Sequence, residues 1–209
     1  KQNLLKEGIS NNKIFITGNT IVDAVYQNLK LINDQPAILS LNIDNDDYFL
    51  VTVHRQENVD NKKRLQGILE GLKRVHEEFD LPVIYPIHPR AKKRMKEFNL
   101  NPRGITLIKP IDYLSFLQLE SKAKLILTDS GGVQEEACIL KVPCVTLRYN
   151  TERPETIEVG ANVLAGTNPT KIVEKVKLML NKKPNWNNPF GDGRAGSRIV
   201  KILMRWKNG

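Results

Sequence analysis

Two cysteines, Cys138 and Cys144, are all that 209 residues hold. Each lies in a mostly apolar segment with no histidine cluster around it. That excludes a disulfide scaffold and a zinc site built from close-set ligands. Buried, reduced thiols are expected instead, which suits a cytoplasmic protein. Histidine is nearly as scarce, with only His54, His76 and His88. No apolar run approaches the roughly 20 residues that span a bilayer, so no membrane partner is expected. The start, Lys1-Gln2-Asn3, leads into a mixed segment rather than the apolar core of a signal peptide, and it lacks an initiator Met. A fragment or processed boundary is expected there. Charge is not balanced: 32 Lys+Arg face 23 Asp+Glu, for a net +9. Such an excess would suit nucleic acid if it were gathered on one face. It is spread along the chain, and Lys62-Lys63-Arg64 and Lys92-Lys93-Arg94 fall in expected helices. These clusters are read as solvated faces, with no nucleic-acid partner. A phosphate-bearing small ligand draws on the same charge. The 40% hydrophobic and 26% charged residues fit a soluble chain with one sizeable core.

Short apolar runs alternate with helical periodicity, the pattern of βαβ units and a parallel sheet. Strands are expected at Phe49–Val53, Pro82–Ile87, Ile105–Ile108, Leu125–Thr128, Cys144–Leu147 and Val163–Ala165. Between them, Leu65, Ile68, Leu69, Leu72 and Val75 recur at helical spacing. Further helices are expected over Ala91–Phe98, Tyr113–Ala123 and Val133–Leu140, after Pro154, and from Asn168-Pro169. His76, within a charged helix, is expected to be solvated. The fold class is therefore α/β: a Rossmann-like parallel sheet of about six strands with helices on both faces. Two flanks break the repeat. Residues 1–48 are irregular, with a strand-like Lys13–Ile16, the string Thr17-Gly18-Asn19-Thr20 and a helix-like Ile21–Leu31. Pro184–Gly193, rich in Asn, Pro and Gly, reads as a linker before a final helix, Ala195–Trp206. Residues 25–183 are taken as the main domain, and the flanks 1–24 and 184–209 look like pieces that pack on something else.

Open parallel sheets bind ligands beyond the carboxyl ends of their strands. There the sequence places His54-Arg55-Gln56-Glu57-Asn58, His88-Pro89-Arg90, Asp129-Ser130-Gly131-Gly132, and Arg148 with Thr151-Glu152-Arg153-Pro154. The turn at Asp129–Gly132 supports two readings. It is either a plain helix cap by Asp129 or Ser130, or an anion site formed by free N–H groups, the helix dipole and glycines that admit phosphate oxygens. Glu135 and Glu136 either suit the helix dipole or meet a ribose diol. Arg153 is either a surface charge or the neutraliser of a diphosphate. His54 either caps a strand end or serves as a phosphate donor or proton shuttle.

Taken together, these strings resemble one family. Val53-His54-Arg55-Gln56-Glu57-Asn58 is similar to its His-Arg-x-Glu-Asn/Ser signature. Leu127 to Ala137 is similar to its most characteristic stretch. Thr151-Glu152-Arg153-Pro154-Glu155, Gly160, Gly166-Thr167, Thr17–Thr20 and Gly191-Asp192-Gly193 also fit, in order, across essentially the whole chain. The family is the UDP-N-acetylglucosamine 2-epimerases. The resemblance implies the C-terminal half of a two-domain GT-B fold, with the active site in the cleft between halves. It implies that Ser130, Gly131 and Gly132 hold a diphosphate, that Glu136 binds the ribose, and that Arg153 and His54 contact the phosphates. Phe116 and the backbone at Ile111 would meet uracil, and Arg55 joins the substrate-binding set. The implied reaction eliminates UDP to give a 2-acetamidoglucal, to which UDP re-adds as the C2 epimer, with no metal or redox cofactor. His54 is the one residue here that would help protonate the leaving group. The acids that move the C2 proton lie, in the family, on the other half, and the full-length enzyme is commonly a homodimer. Hydrolysing epimerases, which release free N-acetylmannosamine, share these motifs. GT-B glycosyltransferases share the nucleotide half, but the His-Arg-x-Glu-Asn and Thr-Glu-Arg-Pro strings favour an epimerase. Bacterial members carry His-x-Asn-Pro beside a second, regulatory site. Here His88-Pro89-Arg90-Ala91 stands instead, and that regulation is not carried over.

Overall fold

The computed structural model describes residues 1–32 and 47–207. Six short strands form one sheet: β1 (Phe49–Thr52), β2 (Val83–Pro86), β3 (Thr106–Ile108), β4 (Leu125–Thr128), β5 (Cys144–Thr146) and β6 (Asn162–Leu164). Their order is β3-β2-β1-β4-β5-β6, and every pairing is parallel. The helices are α1 (Gln2–Lys6), α2 (Thr20–Ile32), α3 (Gln56–Val59), α4 (Lys62–Phe79), α5 (Pro89–Glu97), α6 (Tyr113–Lys122), α7 (Gly131–Leu140), α8 (Pro154–Glu158), α9 (Pro169–Leu180) and α10 (Ala195–Lys207).

The strands read as continuous apolar runs because both sheet faces are covered. Successive side chains alternate between two cores. Phe49, Val51, Leu125, Leu127 and Val145 join one core with Leu65, Ile68 and Leu72 of α4, Met95 of α5 and Ile172 of α9. Leu50, Ile84, Ile126 and Cys144 join the other with Leu119 of α6 and Val133 and Ala137 of α7. The two-sided Rossmann-like architecture expected from the sequence is the one observed. Both cysteines are free and buried, and burial pushes the Cys138 thiol up to about 11. Among the described residues no helix is long and apolar enough to cross a membrane. The lysines of the two basic clusters are exposed, while Arg64 and Arg94 pair with Glu57, and with Asp60 and Glu97.

Three expectations need correction. Lys13–Ile16 is not a strand. Asn11–Lys13 form a 3-10 turn, and Phe15 and Ile16 follow with 49% and 76% of their surface open. An apolar run becomes a strand only where a ladder partner is available, and none of the sheet pairings involves it. His76 is not simply solvated. Its Nδ1 lies 2.9 Å from the Leu81 carbonyl and closes the turn from α4 into β2. Pro184–Gly193 is an anchored segment rather than a free linker. Trp186 and Phe190 join Val22 and Val25 of α2 and Cys138 of α7 in a third core, and Trp186 Nε1 donates to the Cys138 carbonyl at 3.0 Å. The flanks also meet each other: Asn19 N–H donates to Phe190 O at 2.8 Å, and Asp23 caps α10 by accepting from the N–H groups of Ala195 and Gly196 at 3.1 and 3.0 Å. The part of the irregular 1–48 stretch over residues 33–46 lies outside the described residues.

Candidate functional site

The strand order reverses between β1 and β4, so the loops leaving these two strands diverge and open a crevice at their carboxyl ends. The residues after β1 and β4 are tied together there. Asp129 is completely buried. Its carboxylate accepts from the backbone N–H of His54 (3.1 and 3.2 Å), from that of Arg55 (3.0 Å) and from Asn58 Nδ2 (3.0 Å). Asp129 therefore faces inward and clamps the turn after β1. It is not the cap of α7, a position that Ser130 takes. Thr52 and Thr128 hydroxyls meet at 2.6 Å, and Ser130 N–H donates to Thr128 Oγ1 at 2.9 Å, which fixes the start of the next turn.

Ser130 takes the N-cap position of α7 with φ −90° and ψ 128°, but its side chain makes no cap hydrogen bond. The N–H groups of the first helical turn are thus left for another acceptor. A Cβ on Gly132 would meet nothing nearer than Ser130 Oγ at 4.0 Å, so the space in front of it is open. A Cβ on Gly131 would lie 3.8 Å from Arg153 Cζ and 3.4 Å from Glu152 Oε2. The Arg153 guanidinium is therefore beside the helix start. Arg153 Nε pairs with Glu135 Oε1 at 2.7 Å, and Asn19 Nδ2 donates to that same oxygen at 2.9 Å. Behind Arg153, a buried network sets its loop. Thr151 Oγ1 donates to Gln134 Oε1 at 2.5 Å, and Asn162 Nδ2 reaches Gln134 Oε1 and Thr156 Oγ1 at 3.2 and 3.1 Å.

On the other side of α7 lies an apolar cavity of about 220 Å³, lined by His54, His88, Pro110, Ile111, Phe116 and Val133 among others. It brings three expected residues together: His54, Ile111 and Phe116. The His54 and His88 rings lie 5.7 Å apart. His88 Nδ1 accepts the Arg90 N–H at 3.1 Å, capping α5, so its Nε2 carries the proton when the ring is neutral. Burial lowers the His54 pKa, with His88 and Arg55 adding to the effect and Asp129 opposing it. His54 is neutral at neutral pH and becomes a cation more readily once an anion stands beside it. Glu136, 7% exposed, accepts the Tyr113 hydroxyl at 2.9 Å, and burial raises its pKa.

Arg55 approaches the helix start through Glu152, whose Oε2 lies 3.4 Å from where a Cβ on Gly131 would stand. Its guanidinium pairs with Glu152 at 3.2 Å, in a network where Arg148 joins Glu57 at 2.5 Å and Glu152 at 3.0 Å. Sequence reasoning passed over Tyr113, Glu120 and the inward role of Asp129. The seven-residue spacing of Tyr113 and Glu120 was the available signal for one shared helix face. The groove of about 410 Å³ between α4 and α9, lined by Arg74, Glu77, Glu78 and Lys177 among others, holds none of the strand-end residues.

The family model for UDP-N-acetylglucosamine 2-epimerase matches residues 1–204. The chain belongs to the UDP-N-acetylglucosamine 2-epimerase family. A relative from Methanocaldococcus jannaschii, named UDP-N-acetylglucosamine 2-epimerase, is 59% identical over 99% of this chain and 59% of its own length. One from Methanococcus maripaludis is 50% identical over 97% of this chain and 57% of its own. The chain thus spans under two thirds of these epimerases. The crystal structure of the M. jannaschii epimerase in complex with UDP-GlcNAc and UDP superposes with a TM-score of 0.91 at 59% identity, covering 98% of this chain and 58% of that one. The epimerase from Neisseria meningitidis, bound to UDP-GlcNAc, gives 0.84 at 32% identity, covering 98% and 58%.

Proposed function

We propose that this chain is the UDP-binding part of a UDP-N-acetylglucosamine 2-epimerase that interconverts UDP-GlcNAc and UDP-ManNAc by elimination and re-addition of UDP. The observation that carries the reading is the uncapped start of α7, with Arg153 on one side and the Phe116 cavity on the other. The diphosphate meets the N–H groups of Gly131 and Gly132, the Ser130 hydroxyl and Arg153. The ribose hydroxyls donate to Glu136. Uracil enters the cavity at Ile111 and Phe116.

In the elimination, the C2 proton is taken by a base, the C1–O bond to the β-phosphate breaks, and its electron pair leaves on UDP. Re-addition reverses these steps on the other face of C2. The helix dipole, free N–H groups and Arg153 stabilise the charge that grows on the departing oxygen, where fixed donors act most strongly. His54, neutral in the free site, donates toward the phosphates and takes up a proton as their charge approaches. Arg55 orders the site's edge through Glu152. No cofactor enters this scheme.

The base for C2 is assigned to a further N-terminal domain, in keeping with relatives that are longer than this chain. Residues 1–24 lead from that domain, residues 25–183 form the UDP-binding domain, and 184–209 return to it. The open apolar side chains Phe15, Ile16, Val200, Leu203 and Met204 suit such a cover. The whole enzyme is a cytoplasmic homodimer in this reading. Incubated with UDP-GlcNAc, the 209-residue chain is expected to bind the sugar nucleotide and leave it unconverted, as followed by proton NMR of the anomeric signals. Conversion by the chain alone would refute this division of labour.

A further inference from the structure

Behind Glu136 lies a second carboxyl. Glu120 follows Tyr113 by seven residues on α6, so the two side chains share the helix face that packs on α7. Glu120 is completely buried, while Tyr113 is 41% exposed. Neither Glu120 oxygen accepts a hydrogen bond from an N–H or hydroxyl among the described residues. The titratable groups facing it are the Glu136 carboxyl on α7, the Tyr113 hydroxyl on its own helix and the Cys144 thiol on β5. None is a cation. Glu135, the next acid on α7, acts on Glu136 but is itself paired with Arg153.

Two carboxyls in contact in a buried place cannot both be charged, so the pair holds one proton near neutral pH. Its location follows from the surroundings. Glu136 receives the Tyr113 hydroxyl at 2.9 Å, which favours the charged form there. Glu120 lies deeper and has only Glu136 to bond to, and burial holds it well above the ordinary carboxyl range. The proton sits on Glu120 and points at Glu136. A buried acid with no cation partner costs stability, so its presence asks for a use.

We propose that Glu120 is a positioning acid: it keeps its proton, donates a hydrogen bond to Glu136 and fixes that carboxylate, charged and in one orientation, for the paired hydroxyls of a nucleoside ribose. Tyr113 holds Glu136 from the solvent side and Glu120 from the core side. Ribose hydroxyls then find their acceptor already oriented. The inference rests on Glu136 as the ribose acceptor and adds the group that prepares it.

The test compares UDP with 2′-deoxy-UDP by calorimetry on the whole chain, from about pH 6 to about pH 9. The wild type is expected to prefer UDP about tenfold, the worth of one hydrogen bond to a charged group. The neutral form of Glu120 is the working one. The preference is therefore present below its raised pKa and declines as pH rises through it, when a second buried charge repels Glu136. Glu120→Gln keeps an N–H donor at every pH and is expected to keep the preference without the alkaline decline. Glu120→Leu removes the donor, and the preference should fall to about twofold or less. A Glu120→Gln protein with the wild-type pH profile, or a folded Glu120→Leu protein with the wild-type preference, would overturn the proposal. Glu136→Ala separates the two levels. If it keeps the preference, the ribose assignment itself fails. If it loses the preference while both Glu120 variants behave as wild type, only the role of Glu120 fails.

Discussion

Within the turn after β4, neighbouring residues do different work. Asp129 turns into the protein and clamps the backbone of His54 and Arg55, while Gly131 is buried beside Glu152 and Arg153 and Ser130 and Gly132 stay partly open. The glycine half was legible in the sequence, because a Gly-Gly pair at a strand-to-helix junction has a known physical use. The inward half was not, since Asp129's partners lie 71 to 75 residues away and local pattern does not report them. Arg153 lies beside the start of α7, and Glu136 lies on α7 with its carboxylate bonded by Tyr113. Arg55 pairs with Glu152, whose carboxylate stands beside Gly131. Gly132 allows a sharp test. Its helical position and open surroundings accept a Cβ without strain, and alanine is the better helix former. Gly132→Ala is expected to leave the thermal midpoint unchanged or slightly raised, yet to weaken UDP about tenfold or more by filling the phosphate's approach. Unfolding curves and a UDP titration on the same sample check both halves. Undiminished UDP binding would remove Gly132 from the site.

At the scale of elements, every expected sheet strand is present, because continuous apolar runs between helical periods mark a sheet covered on both faces. Boundaries moved by a residue or so, as at β6, which starts at Asn162 rather than Val163. The miss at Lys13–Ile16 has a physical cause: apolar, β-branched character alone does not supply a ladder partner. The packing of α4 on α9 was also hidden. It depends on Gly67 and Gly71, one helical turn apart, which let α9 and the segment before it approach closely. A Cβ on Gly67 would stand 2.3 Å from the Thr167 backbone carbonyl oxygen, and one on Gly71 would stand 2.6 Å from Ile172 Cδ1. The first neighbour is backbone and cannot swing aside. Gly67→Ala is expected to cost about 1–3 kcal/mol, lowering the thermal midpoint by roughly 2–10 °C. A midpoint equal to wild type would show that α9 can shift to accept the methyl.

Across the whole molecule, the flanks that broke the sequence pattern proved to be part of the packed unit on one side and open on the other. Trp186 and Phe190 are sunk among α2, α6 and α7, and Asp23 holds the start of α10. Yet Phe15 and Ile16, together with Val200, Leu203 and Met204 of α10, face outward. Aromatic anchoring in a segment rich in Asn, Pro and Gly was not legible, because loop composition masks single core residues. The strand ends were legible as a set, and the order β3-β2-β1-β4-β5-β6 brings the β1 and β4 ends into one crevice. In the proposed function this crevice holds UDP, with its diphosphate at the start of α7 and its ribose at Glu136. Calorimetric titration with UDP tests it most directly. The wild-type chain should bind, Arg153→Ala should lose about tenfold to a hundredfold in affinity, and Glu136→Ala about tenfold, each removing a hydrogen bond between charged or polar groups. Equal UDP affinity in all three proteins would contradict it.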